Sequence, residues 1–156
     1  MFRRKDVHYG NTYLLGKLFV MIIQGFSVYE TIPKSWWIMA YYNVKNQKDL
    51  AKAYWELTSL GLDESDAIEA VETISNANNG YTLTINKLRT TIIIISHASN
   101  DSEFFDTFAH ELKHAAEHIG EFFGYKSDSE ESAWLQGEIS KNMFDVIKTL
   151  TCKNYG

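Results

Sequence analysis

Residues 110 to 114 read His-Glu-Leu-Lys-His. On an α-helix, positions four apart lie about one turn apart on the same face, so His110 and His114 can offer two imidazoles to one tetrahedral metal ion. Glu111 points to the side of that face, where its carboxylate can act as general base towards a metal-bound water. The chemistry this spacing offers is metal-assisted hydrolysis. Three specified positions are met by chance in about one chain in a hundred of this size, so the flanking residues must carry part of the argument. Projected at about 100° per residue, Phe105, Phe108, Leu112, Ala115 and Ile119 fall in one arc, and Thr107, His110, Glu111, His114 and His118 in another. Asp106, Lys113 and Glu117 take a third, solvated direction. An ordinary surface helix has an apolar and a polar face. The additional His/Glu/Thr face is what a helix lining a cleft shows.

A catalytic zinc takes three protein ligands and keeps the fourth position for water. Gly120 stands six residues beyond His114 and Glu117 three beyond it, so the three-histidine continuation of the motif is absent. His118, one further turn along, lies too far down the axis to share an ion easily with His110. It reads equally as a residue lining the cleft behind the ligands and as a plain surface histidine. The run "DSEESAWLQGEISKNMF" (128 to 144) is a better source. Leu135, Ile139, Met143, Val146 and Leu150 make one core stripe on that helix. Glu130 projects from the opposite side beside Ala133 and Gly137, whose small side chains would let another helix come close. Glu131 and Glu138 share a different direction, read as solvated. Glu130 is therefore preferred to Glu131 as third ligand, although a Glu-Glu pair at a helix start is also a favourable charge at the helix dipole.

The elements that must position these residues can be read from the rest of the chain. "SWWIMAYYNV" (35 to 44), short, apolar and bounded by Pro33 and Asn43, predicts a buried strand. "QKDLAKAYWELTSLG" predicts a helix with Leu50, Tyr54 and Leu57 on one face and Gly61 as its stop. Asp63 caps a second helix striped by Ala67, Val71 and Ile74, and "NANNG" (76 to 80) ends it. "YTLTI" (81 to 85) alternates and "TTIIIIS" (90 to 96) is β-branched throughout, so both predict strands, the latter buried on both faces. "SNDSE" (99 to 103) is rich in capping residues and opens the histidine helix, and the last helix runs from about Ser129 to Leu150. The segment "YLLGKLFVMIIQGF" (13 to 26) superficially suggests a signal peptide. Lys17 interrupts it, no small-residue cleavage site follows, and it is too short to span a membrane, so it reads as a buried first element. The order predicts one α+β domain over residues 1 to 156, with a small mixed sheet packed against the histidine helix.

Composition narrows the class. The 156 residues are 45% hydrophobic and 14% aromatic with one proline, which describes a packed domain and not a disordered chain. The net charge of −5 leaves only "RRK" at 3 to 5 locally basic, which argues against nucleic-acid binding. The single cysteine, Cys152, excludes an intramolecular disulfide and fits a reducing compartment. A soluble cytoplasmic protein without nucleic-acid or membrane partners is expected.

The segments "TIIIISHASNDSEFFDTFAHELKHAAEHI" and "DSEESAWLQGEI" together resemble the zincin metallopeptidases of the glutamate-ligand (gluzincin) type, in particular small bacterial and phage members. The likeness covers roughly residues 81 to 140. It implies a zincin-like fold, one Zn²⁺ per chain held by His110, His114 and Glu130, and Glu111 as general base. It also implies a peptide or protein substrate, paired in extended form with the strand near 90 to 96. Tyr125, between the two helices, and His118 are the candidates for stabilising the transition state. The chain departs from the better-known members in its shortness and in lacking their Asn/Asp partners after the third-ligand glutamate. Three readings follow: a zinc metallopeptidase; a zincin-like protein that holds metal and peptide in a binding or regulatory role without turnover; and a helix-rich structural protein whose motif is accidental.

Overall fold

The computed structural model describes residues 20–151. The basic residues 3 to 5, the first part of the apolar 13–26 segment and Cys152 lie outside the described residues. Four strands form one mixed sheet: β1 (Ile22–Val28), β2 (Trp36–Val44), β3 (Gly80–Ile85) and β4 (Thr90–Ser96), in the order β1-β2-β4-β3. β1 pairs antiparallel with β2, β2 parallel with β4, and β4 antiparallel with β3. Four helices complete the α+β architecture: α1 (Gln47–Ser59), α2 (Glu64–Ser75), α3 (Asp101–Phe122) and α4 (Glu130–Thr151). No helix among the described residues is long and apolar enough to cross a membrane.

The helix boundaries follow local chemistry. The side chain of Asn46 accepts from the Asp49 N–H while Asp49 reaches back to the Asn46 N–H, so both ends of a capping box are present at α1. Asp63 and Asn100 cap α2 and α3 through their side-chain oxygens. Gly61, at φ +101°, supplies the left-handed residue that ends α1 and admits the immediate turn into α2.

The sheet is covered on both faces. Ile93 and Ile95 of β4 pack with Trp36, Ile38, Ala40 and Tyr42 of β2 under α3 and α4, whereas Ile92 and Ile94 join Tyr41 under α1 and α2. Val44 follows a bulge at Asn43, whose φ of +61° inserts one extra residue and turns Val44 to the α1/α2 side. The isoleucine run of β4 is thus buried on both faces, as its composition predicts. α3 covers the β4/β3 side of the sheet and α4 the β1 side, where the Gln24 amide donates to the Asn142 carbonyl (2.8 Å) and accepts from the Tyr42 hydroxyl (2.7 Å).

Two positions differ from the sequence reading. Phe105, placed in the apolar stripe of α3, is 48% exposed, and Phe104 is buried in its place. Its direction matches Leu112, but the cover that Leu112 finds further along the helix is missing at the α3 N-terminus. Glu138, expected in solvent, is buried. Its Oε1 accepts from the N–H groups of Tyr29 and Glu30 (2.8 and 2.9 Å), and its Oε2 from the N–H and hydroxyl of Thr31 (2.9 and 2.6 Å). The carboxylate closes the β1–β2 connection onto α4 by satisfying three successive backbone donors.

Replacing Glu138 by Ala strands those donors. Glu138→Ala should lower the unfolding free energy by on the order of 3 kcal/mol and Glu138→Gln by less, since the amide keeps one acceptor oxygen. Urea titration of the three proteins checks this, and equal losses for both variants would contradict it.

Candidate functional site

α3 carries the histidine row, and its rotation is set by residues that precede and follow each histidine. Thr107 and Glu111 are buried against the sheet, and Ala116, Gly120 and Ile119 turn towards the core and α4. A side chain on Gly120 would sit 3.5 Å from Tyr125 Cβ and 4.0 Å from Leu135, so this face of the helix lies close to α4. The remaining direction belongs to His110, exposed, and to His114 and His118, half-buried. They stand along the rim of α3 beside β3.

The row converges at one end. His110 Nε2 and His114 Nε2 are 3.0 Å apart, with ring centroids 4.5 Å apart at 82°. Two nitrogens held about 2.05 Å from one tetrahedral zinc stand roughly 3.3 Å apart. The pair therefore fits two positions of such an ion after opening by a few tenths of an ångström. Zinc, when bound, would supply Lewis acidity and a water of lowered pKa.

Glu111 is held between α3 and β3. Its Oε2 accepts from the Thr82 hydroxyl at 2.6 Å, and the residue is only 4% exposed. Gly80 makes room for it, because a Cβ there would lie 2.4 Å from Glu111 Cγ and 2.8 Å from Oε1. Here the absence of a side chain is a requirement of close approach.

His118 belongs to a hydrogen-bond chain that crosses the sheet. The Trp36 indole N–H donates to Thr91 Oγ1 (2.9 Å), the hydroxyls of Thr91 and Thr84 are 2.9 Å apart, and Thr84 Oγ1 is 3.3 Å from His118 Nδ1. Indole only donates. Thr91 therefore accepts from it, and where the hydroxyls of Thr91 and Thr84 carry that direction on, Thr84 donates to Nδ1 and the His118 proton stands on Nε2. On the other face of β3, Tyr81 packs under α2, and burial together with Asp66 and Glu69 pushes its phenol up.

Among the described residues, no strand pairs with the outer edge of β3 beside this row. The Ser96 N–H donates to the Asn79 carbonyl, and antiparallel alternation from there turns the backbone groups of Tyr81 and Leu83 to β4 and those of Gly80, Thr82 and Thr84 outward. β4 lies between β2 and β3, so its backbone groups are all taken. An extended peptide cannot add to the strand at 90 to 96, as the sequence reading expected. Among the described residues the edge strands are β1 and β3, and β3 is the one beside the histidine row.

The third-ligand candidate is not brought to the pair. Phe104 shares a cavity wall with Leu150 and Thr151 while Gly120 faces Leu135, so α3 and α4 run antiparallel. Glu130, in the first turn of α4, lies past the Gly120 level, more than about 15 Å along the axis from either histidine at 1.5 Å per residue. Ala133 and Gly137 do not face α3: both are exposed, and a Cβ on Gly137 would meet nothing within 4 Å. Glu131 is exposed as well. Among the described residues, no group of three or more His, Cys, Asp and Glu stands where it could hold one metal ion. Tyr125 is also elsewhere, its hydroxyl donating to the Thr31 carbonyl (3.0 Å) near the β1 edge, opposite β3.

Sequence reasoning missed Gly80, Thr82, Thr84 and Thr91. The alternating Thr82 and Thr84 of "YTLTI" were the available signal, since period-2 hydroxyls mark one polar face of a strand. The reversed spacing His114-x-x-Glu117-His118 is present too. Its glutamate turns outward to Lys113 at 3.7 Å, so only Glu111 joins the sheet. No family model, curated protein or solved structure matches the chain.

The Gly80–Glu111 contact can be tested as a pair. Gly80→Ala should cost about 1–3 kcal/mol in the wild-type background. In a Glu111→Ala background, where the crowding atoms are gone, it should cost much less. Denaturation of the four proteins of this cycle reads the coupling, and additive losses would remove the contact from the account.

Proposed function

We propose that this chain is a zinc-dependent metallopeptidase of the zincin type, with His110 and His114 as metal ligands and Glu111 as general base. The observation that carries the reading is the 3.0 Å convergence of the two Nε2 atoms on the helix that also presents Glu111. In this reading Glu111 takes the proton of the attacking water and delivers it to the leaving amine. Thr82 orients the carboxylate by donating to Oε2. His118, with its proton on Nε2, donates to the developing oxyanion. The outward backbone groups of Gly80, Thr82 and Thr84 hold an extended peptide by strand addition, which places substrate recognition on β3.

A second reading has its own observation. Two histidines without a third ligand among the described residues favour a protein that holds metal and peptide without turnover. Elemental analysis of protein purified without added metal should find about one zinc per chain, and His110→Ala and His114→Ala should each abolish it. A chain that takes up no zinc at micromolar concentration overturns both readings. Glu111→Gln decides between them, because the amide keeps size and can still accept from Thr82 but cannot take a proton. Zinc content should stay near wild type while hydrolysis of a broad peptide library falls at least ~10²-fold. Wild-type protein that binds zinc and cleaves nothing in such a library leaves the binding reading.

A further inference from the structure

α4 buries the Leu135/Ile139/Met143/Val146 stripe and carries two large aromatics on its opposite side. Trp134 is 61% and Phe144 59% exposed. Glu130, Gly137, Lys141 and Lys148 share that side and are exposed as well. Neither core of the protein uses these residues. A solvated helix face is ordinarily polar, and two aromatics flanking an open glycine mark a surface shaped for another body.

The pattern on this face is self-complementary. Positions 130 and 148, 134 and 144, and 137 and 141 are placed symmetrically about residue 139. Two copies of α4 laid antiparallel about a two-fold axis at that point bring Glu130 of one to Lys148 of the other. Trp134 then lies beside Phe144 of the second copy, and the Lys141 stem covers the notch at Gly137. A parallel pairing would instead set Glu130 against Glu130 and each lysine against its own copy. We propose that this face joins two copies of the chain in an antiparallel, two-fold α4–α4 dimer. The contact is isologous, so it closes on itself and does not propagate. A single helix pair falls at the small end of specific interfaces, and a micromolar dissociation constant is expected. The proposal does not rest on the metal reading, since the histidine row lies beside β3 and not on this side of α4.

Sedimentation equilibrium of the full chain tests it. The wild-type protein should be dimeric at about 100 µM, and Trp134→Glu/Phe144→Glu should be monomeric there with an unchanged circular dichroism spectrum. Glu130→Lys and Lys148→Glu should each weaken the dimer about fivefold or more, because either reversal converts two attractive pairs into repulsive ones. The double reversal Glu130→Lys/Lys148→Glu should restore the wild-type constant. A chain that remains monomeric up to about 1 mM overturns the proposal, including the case in which residues 1–19 of the same chain cover Trp134. A dimer that survives Trp134→Glu/Phe144→Glu places the contact elsewhere and overturns it too. Failure of the double reversal to restore binding overturns the antiparallel register.

Discussion

A carboxylate placed between a helix and a sheet must be given donors and space, and Glu111 receives both from β3. Thr82 supplies the hydroxyl and Gly80 the missing side chain. That contact and the buried stripe of Phe104, Phe108, Leu112, Ala115 and Ile119 together fix the rotation of α3 about its own axis. With Glu111 turned inward at the sheet rim, the residues one before and three after it are carried outward together, and His110 and His114 converge in the open. Had the helix turned by one residue, about 100°, in the sense that carries position 110 to the sheet, both histidines would have turned inward together. The outward direction of the pair therefore follows from how the opposite faces of α3 are buried, and its convergence from the four-residue spacing.

The opposite end of the sheet order is held by the same kind of device. Glu138 gathers the backbone donors of residues 29–31, and Tyr125 adds a bond to the Thr31 carbonyl from the α3–α4 turn. The rings of Phe122 and Phe123 pack edge-on against Trp36, 5.1 and 5.9 Å away. Trp36 in turn begins the hydroxyl chain that ends at His118. The β1–β2 connection and the histidine row are thus linked through one buried indole. α4 acts in this arrangement as a clamp on β1, while α3 packs on β3.

What was legible in the sequence was whatever depends on near neighbours along the chain. Asp63, Asn100 and Gly61 act where capping chemistry places them, and the β4 isoleucines are buried on both faces. The antiparallel or parallel sense of each strand, and hence which edge is free, depends on pairing between distant segments. That is why β4 and not β3 was expected to meet a peptide. The preference for Glu130 over Glu131, and the solvated reading of Glu138, rested on the same kind of missing information. A helix projection shows that Glu130 lies opposite the core stripe, but the side opposite a core can face either a second helix or water. Small neighbours at Ala133 and Gly137 fit both outcomes. Glu138 lies on the margin of the buried stripe, where only the course of the β1–β2 connection decides whether its carboxylate is solvated.

The placement of Glu130 also bears on what any ion at His110 and His114 would experience. Among the described residues no third His, Cys, Asp or Glu stands with the pair, so in the proposed reading a zinc ion there would have two imidazoles as its protein ligands. Without a carboxylate ligand such an ion would keep more of its positive charge and be held less tightly, which would favour the Lewis-acid role in the proposed reading. The Glu111 carboxylate is then the negative charge that the described residues place nearest the pair in sequence, and it is already engaged with Thr82. In the proposed reading, the bond to Thr82 holds the carboxylate that would serve as base apart from the imidazoles that would serve as ligands.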